Sequence, residues 1–407
     1  MRILVIGGGI GGLTLALMLD ARGIACDVFE AVPRMRELGV GINLLPRVVS
    51  ELAELGLLAR LDRISVRTRE LIYATRLGQE VWREARGVDA GYESPQLSTH
   101  RGRLHGVLRD AVIERLGRGA VRTGHAFTAF VAGGASVEAR FEREPGHGAA
   151  TATGDALVGC DGIHSAVRRQ LYPDDGGLKW NGVMMWRGAT LTKGFLDGRT
   201  MVISGGLDLK LVTYPIANGI EPGLQLVNWA ICRRSGDGSA PPPRREDWSR
   251  RGSLDDVIPL ARQFRTPYVD PVELAMAAPV VYEYPMVDRD PLPRWTHGRV
   301  TLLGDAAHPM YPVGSNGASQ AILDARCLAD CIATGDGIER ALAAYEAERL
   351  PKTAEVVRVN REGGPEGVID EVERRAPDGF ANVDDVLSHA EREGIVKGYA
   401  RLAGFAK

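Results

Sequence analysis

The apolar positions of the chain fall into short blocks separated by glycine, proline and charged residues. Ile3–Ile6 is an apolar run with β-branched members and reads as a buried strand. Leu13–Leu19 has helical length and good helix formers, and Cys26–Phe29 is strand-sized again, ending at Glu30. Pro46–Leu58 carries Val48, Leu52 and Leu55 at helical spacing. Leu71–Tyr73 and Glu80–Trp82 read as strands joined by a turn at Gly78. A helix is expected to open at His100–Leu104 and run to Leu116, with hairpin strands over Val121–Phe141 and a buried strand over Ala156–Val158. From Lys179 to Trp229 the pattern changes to strands at regular spacing: Val183–Arg187, Met201–Ile203, Leu211–Tyr214 and Leu226–Trp229. A helix over Leu254–Phe264 and a strand over Val280–Met286 follow. The strand Arg299–Leu303 then leads to helices over Ala318–Ala333 and Gly337–Asn360. Beyond Glu362 the chain is polar and Gly-rich, with a helical pattern only over Val383–Glu393 and no expected chemistry.

The first strand and helix enclose Gly7, Gly9 and Gly12 at G-x-G-x-x-G spacing. Gly7 allows a tight turn off the strand, Gly9 lets a pyrophosphate approach the backbone, and Gly12 lets helix and strand pack closely. The helix N-terminus offers unpaired N–H groups and a positive dipole end to phosphates. Glu30 can accept from a ribose hydroxyl and disfavours a 2′-phosphate, so this unit expects FAD or NAD rather than NADP. A secretory signal does not fit, because five glycines between positions 7 and 12 interrupt the apolar run and no small-residue cleavage site follows. A membrane span does not fit either, since the apolar stretch stops at Asp20.

Later segments add chemistry. Residues 33–43 end in Gly39-Val40-Gly41-Ile42-Asn43, a small-residue loop suited to pass close to a ligand. Arg101 and Leu104 form R-x-x-L at a helix start, where an Arg can meet a phosphate or simply face solvent. Cys160-Asp161-Gly162-Ile163-His164-Ser165, with Arg168 following, is strand, Asp-Gly turn and basic helix. Gly304-Asp305 closes the Arg299–Leu303 strand, at the sheet edge where open α/β folds bind ligands. Gly314, Ser315, Asn316 and Gly317 then feed a helix whose N-terminus can accept negative charge.

Composition narrows the picture. The 407 residues suit two interlocked domains, and 44% hydrophobic residues suffice for a substantial core. A formal net charge of −2 gives no basic excess for a nucleic acid partner. The five cysteines are scattered and odd in number; Cys327 and Cys331, at i, i+4, read as small core residues, no metal site is expected, and a reduced cytoplasmic protein is. Arg233–Gly252, rich in Pro, Arg and Ser, reads as an exposed loop. No internal repeat is visible.

Three motifs in order, GGGIGG, CDGIHSAVR and RVTLLGDAAHPMYPVGSNGASQAILD, resemble the class A flavoprotein monooxygenases, the p-hydroxybenzoate hydroxylase-like aromatic hydroxylases. The resemblance runs from the N-terminus to about Leu350. Through MWRGAT at 185–190, YPMVDRDPLPRW at 284–295 and MYPVGSNGASQAILD at 310–324 it is most similar to the 5-methylphenazine-1-carboxylate 1-monooxygenase branch. It implies an α/β fold. A Rossmann-like FAD-binding domain would comprise residues 1–73, 96–178 and 296–362, with an inserted β-sheet substrate domain of 74–95 and 179–295 and a helical C-terminal segment, 363–407. Gly7, Gly9, Gly12 and Glu30 would hold the ADP half of FAD, and Arg101 the pyrophosphate or ribityl region. Asp161, Gly162 and Arg168 would form a motif associated with FAD and with NADH or NADPH. Gly304 and Asp305 would meet the ribityl chain, while Gly314, Asn316 and Gly317 would face the flavin's pyrimidine end and Pro312 the flavin–substrate interface.

The implied chemistry is hydride transfer from NADH or NADPH to FAD, O2 uptake to give a flavin C4a-hydroperoxide, and oxygen transfer to an electron-rich ring. A phenazine or aryl carboxylate would lose its carboxylate if oxygen entered the ipso carbon. No residue is assigned as an indispensable acid or base, and the His308 of GDAAH is expected to be structural. Pocket candidates are Trp186, Arg187, Tyr214, Asn228, Tyr284 and Met310. Arg187 would hold a substrate carboxylate, or else pair with an acid of the sheet. An oxidase or reductase on the same fold, and a flavin-binding sensor, are the competing readings. A halogenase is disfavoured because no W-x-W-x-I-P run is present.

Overall fold

A computed structural model describes the chain except for residues 36, 38, 144–147, 220, 244–246, 248 and 403–407. Parts of the expected loops at 33–43 and 233–252 therefore lie outside the described residues.

Five parallel strands form the first sheet, in the order Val300–Leu302, Ala156–Gly159, Arg2–Ile6, Ala25–Phe29, Val121–Arg122. The central strand is almost fully buried because helices cover the sheet, which explains its unbroken apolar run. The helices Ile10–Asp20, Arg101–Leu116 and Gly317–Ala333 pack around the resulting core. A three-stranded antiparallel sheet of His125–Gly133, Ser136–Arg143 and Ala149–Gly154 lies beside it.

The second large sheet has seven strands, ordered Val281–Asp288, Lys179–Lys193, Leu224–Arg234, Leu209–Asn218, Thr200–Ser204, Glu70–Ala74, Glu80–Ala85. Its pairs are antiparallel except Thr200–Ser204 with Glu70–Ala74. One face buries Met184, Trp186 and Trp229 under the helices Leu254–Ala261 and Pro271–Met276. The other face looks toward the parallel sheet. Gly41–Leu44, Gln96–His100 and Ser65–Thr68 form a small antiparallel sheet that packs against the Leu209–Asn218 strand.

Three expectations change. The helix expected over 46–58 is two, Pro46–Glu54 and Leu58–Ile64, because Gly56 takes a left-handed φ of +72° and ends the first. The helix expected over 383–393 begins later, at His389, and runs to Leu402. Ser388 and Glu391 make a reciprocal capping box there, with Ser388 N donating to Glu391 Oε2 (3.0 Å) and Glu391 N to Ser388 Oγ (3.4 Å). The helices Pro271–Met276 and Gly367–Arg375 have no counterpart in the apolar pattern as read above.

Candidate active site

A cavity of about 890 Å³ lies between the carboxyl ends of the parallel strands and the inner face of the seven-stranded sheet. At one end stands the glycine loop. Gly7 has φ +106°, and a Cβ there would run into Cys160; one at Gly12 would collide with the carbonyl of Gly7. A Cβ at Gly9 would meet no protein atom within 4 Å, because Gly9 faces the cavity. Gly7 and Gly12 are thus small for the protein's own packing, whereas Gly9 leaves room for something else. Glu30 folds back on this loop, accepting from Gly8 N (2.8 Å) and Val32 N (2.9 Å). His105 also bonds the loop, at Gly8 O (2.7 Å), and burial lowers its pKa.

Arg101 and Asp305 line the middle of the cavity. Among the described residues no carboxylate pairs with Arg101, and no protein group donates to Asp305. Desolvation within the cavity raises the Asp305 pKa against the pull of His308 and Arg101. Gly162, with φ +76°, also opens on the cavity. At the far side Pro312, Gly314, Asn316 and Gly317 present the N-terminus of the Gly317–Ala333 helix. These features fit an FAD: an open backbone cradle, a cation for the pyrophosphate, an acceptor for ribityl hydroxyls and helix N–H groups for the pyrimidine edge.

Asp161 and Arg168 sit just outside. The Asp161 carboxylate accepts from Ser165 Oγ (2.5 Å) and Ala166 N (2.6 Å), so it caps the following short helix. Arg168 is buried, with Nε on Asp175 (2.6 Å) and Nη1 on the carbonyls of Ala306 (3.3 Å) and Ala307 (3.0 Å). It braces the turn that carries Asp305 and does not face the cavity. His308 is likewise turned away, into a buried network: Nε2 bonds Asp324 Oδ2 (2.5 Å), and Arg349 Nε donates to Asp324 Oδ1 (2.7 Å).

On the sheet face the register decides which side chains meet. Arg187 stands opposite Ala230, which stands opposite Val212; Met185, Cys232 and Lys210 form the adjoining row. Alternate residues face the cavity, so Met185 and Arg187 do while Trp186 points into the opposite core. Of the pocket candidates, Arg187, Tyr214, Asn228, Tyr284 and Met310 line the cavity; Trp186 does not, for this reason of parity.

Three neutral acceptors hold the Arg187 guanidinium: Gly41 O (2.7 Å), Asn228 Oδ1 (3.3 Å) and the Tyr284 hydroxyl (3.3 Å). Among the described residues no carboxylate balances its charge. Tyr214, whose pKa burial pushes up to about 12, stays a protonated hydroxyl beside it. A second cation of this face, Lys210, is already neutralised by Glu366, and both are buried. Glu366 and Tyr399 come from the C-terminal segment, where no chemistry was expected, and both line the cavity. Lys210 had a readable signal, a charge in step with Val212 and Tyr214 on an apolar strand; the two C-terminal residues had none.

Among the described residues no helix is long and apolar enough to cross a membrane. The model of the FAD binding domain family matches residues 1–185 and 285–360. The chain is 43% identical over 365 residues to the phenazine 1,6-dicarboxylic acid hydroxylase PhzS of Lysobacter antibioticus, covering 88% of this chain and 89% of the relative. It is 30% identical over 369 residues to 3-hydroxybenzoate 6-hydroxylase 1 of Aquipseudomonas alcaligenes, covering 88% of each. Its fold superposes on Klebsiella pneumoniae HpxO, solved with FAD and uric acid, with a TM-score of 0.75, 23% identity and coverage of 100% and 97% of the two chains.

Proposed function

The chain belongs to the FAD binding domain family and is an FAD-dependent aromatic hydroxylase, and from that premise we propose that its substrate is a planar aromatic acid of the phenazine carboxylate class. The observation that carries this is Arg187, a cavity-lining guanidinium without an acid partner among the described residues. A charge facing a largely apolar cavity favours a counter-charge, and a substrate carboxylate supplies one in bidentate geometry. The 43% identity to a phenazine dicarboxylic acid hydroxylase supports the ring class.

When bound, FAD supplies electron transfer from NADH or NADPH and the activation of O2. The protein's own residues would do the rest. Gly9, Arg101 and Asp305 would hold the cofactor, and the N–H groups at Gly314–Gly317 would stabilise negative charge on the flavin's pyrimidine edge. Arg187, with Tyr214 and Tyr284, would orient the ring acid. Met201, Ile203, Val212 and Met310 give the cavity apolar walls that exclude water. No side chain need remove a proton to start the reaction where the ring's own hydroxyl or amine activates it. With all five cysteines free, we place the enzyme in a reducing cytoplasm.

The test is NADH and NADPH oxidation, O2 uptake and peroxide release by the FAD-loaded protein, across phenazine carboxylates, hydroxybenzoates and matched rings lacking the acid. Ring acids should stimulate oxidation without matching peroxide. Arg187→Met should raise KM for the acid about 30-fold or more, ~2 kcal/mol, and leave rings without the acid unaffected. Equal stimulation by acid and non-acid rings would remove the carboxylate from the assignment. Stoichiometric peroxide with every ring would favour an oxidase.

A further inference from the structure

The helix His389–Leu402 belongs to none of the sequence motifs, yet it reaches the loop that precedes the Gly317–Ala333 helix. The Tyr399 hydroxyl donates to Asn360 Oδ1 (2.6 Å) and accepts from Asn316 Nδ2. Its ring lies so close to Gly314 that a Cβ there would collide with it. Asn316 occupies the position just before the first helical turn, where an Asn side chain ordinarily folds back to cap the helix N–H groups. Here it makes no such cap. Its amide nitrogen is spent on Tyr399 and on Val313 O (3.4 Å), and its amide oxygen accepts from Gln320 Nε2 (3.3 Å).

The N–H groups of Gly317, Ala318 and Ser319, which have no partner inside the helix, therefore keep their Asn cap at a distance. A Cβ at Gly317 would meet no protein atom within 4 Å, and Gly317 and Ala318 line the cavity, so this end of the helix is open to it. The loop holds this shape under constraint. Ser315 takes a left-handed φ of +61° directly after Gly314 at +63°, a conformation that persists in a non-glycine residue only when its surroundings impose it. Asn43 Nδ2 donates to Ser315 Oγ (3.3 Å) on one side, and Tyr399 grips Asn316 on the other.

We propose that Tyr399 is a positioning residue for the flavin: by holding the Asn316 side chain off the helix terminus, it keeps those N–H groups available to negative charge on the flavin's pyrimidine edge. The inference rests on the placement of that edge at Gly314–Gly317. Loss of the hydroxyl leaves only the long contacts to Val313 O (3.4 Å) and Gln320 Nε2 (3.3 Å) against rotation of the Asn316 amide onto the helix end, where its oxygen competes with the flavin for the same donors. Reduced flavin carries the negative charge, so it loses more than oxidised flavin does.

The test is the midpoint potential of bound FAD in the wild type, Tyr399→Phe, Asn316→Ala and the double variant. Tyr399→Phe should lower the preference for reduced over oxidised flavin about tenfold, ~30 mV for a two-electron couple. Asn316→Ala has no side chain to swing, and its own potential is the reference for the double variant. Adding Tyr399→Phe to it should then change nothing. An unchanged potential in Tyr399→Phe overturns the proposal, as does an equal fall in the Asn316→Ala background. Should Tyr399→Phe hold FAD too weakly to titrate, the FAD dissociation constants of the four proteins carry the same cycle. Recovery of affinity in the double variant supports the proposal and no recovery overturns it. A wild type that binds no FAD would instead remove the flavin placement itself.

Discussion

The two halves of the cavity offer different means of recognising a ligand. The parallel-sheet half offers main chain: the Gly9 cradle, the start of the Ile10–Asp20 helix and the start of the Gly317–Ala333 helix. The antiparallel half offers side chains on one face of a sheet, Arg187, Tyr214, Asn228 and Tyr284. Backbone recognition depends on which residues can be tolerated at a turn, and so leaves a fixed spacing of small residues in the sequence. Side-chain recognition depends on strand parity and on which strands become neighbours. The same fold can therefore keep one half nearly constant in form while the other changes with the substrate.

The sharpest way to break this contrast is to add one methyl group at two glycines. Gly12→Ala places a Cβ against the Gly7 carbonyl and should cost about 4 kcal/mol or more, seen as a large fall in Tm even without FAD. Gly9→Ala meets no protein atom within 4 Å and should leave the Tm of the FAD-free protein unchanged while abolishing FAD binding. If both variants lose stability alike, Gly9 is a packing glycine and the cradle assignment fails.

On the side-chain half the largest effect should come from Glu366→Gln, which removes the ion-pair partner of the buried Lys210 ammonium. A cost of about 3 kcal/mol is expected in denaturant unfolding. The paired change Lys210→Met with Glu366→Leu should recover most of it, since replacing both ends by apolar groups removes the desolvation penalty along with the attraction.

Asp370 gives a pH-dependent test of the same C-terminal attachment. Burial pushes its pKa up to about 6, partly offset by the Leu207 N–H (2.7 Å) and by Lys210. A carboxyl whose folded pKa lies above its unfolded value binds its proton more tightly when folded, so its ionisation costs stability as pH rises from about 4 to 6. Asp370→Asn, which keeps an acceptor for Leu207, should raise Tm at pH 8 and have little effect at pH 4. A gain of the same size at both pH values would show that the carboxyl's charge is not the cause.

The smallest effect is expected at Trp186. It faces the core beneath the helices Leu254–Ala261 and Pro271–Met276, so Trp186→Phe should leave KM within about twofold and lower stability by about 1 kcal/mol. A tenfold change in KM would mean that the parity assignment of the whole strand, and with it that of Arg187, is wrong.

Much of the parallel half was legible beforehand. The strands at 3–6, 26–29, 156–158 and 299–303, and the helices from 100 and 318, stand within a few residues of where the apolar pattern put them. Asp161 and Arg168 were also picked out by their motif, but the motif did not tell which of its members face a ligand. Arg168 braces the Ala306–Ala307 turn from behind, a role set by packing across 139 positions of sequence. Trp186 was a candidate for its ring alone, and adjacent residues of a strand cannot both face one cavity.

The sequence by itself determined the nucleotide-binding frame, because tight turns and close backbone approach admit few residue types and those sit within one strand–turn–helix unit. It also supplied Arg187 as a cation on a strand. Only the tertiary structure decided that Arg187 has no acid beside it among the described residues while Lys210 does, because that depends on Glu366 arriving from a segment 156 residues away. It likewise brought Tyr399 onto Asn316 across 83 residues. Local chemistry is written in local spacing, whereas charge balance in a cavity is a property of elements that meet only when the chain has folded.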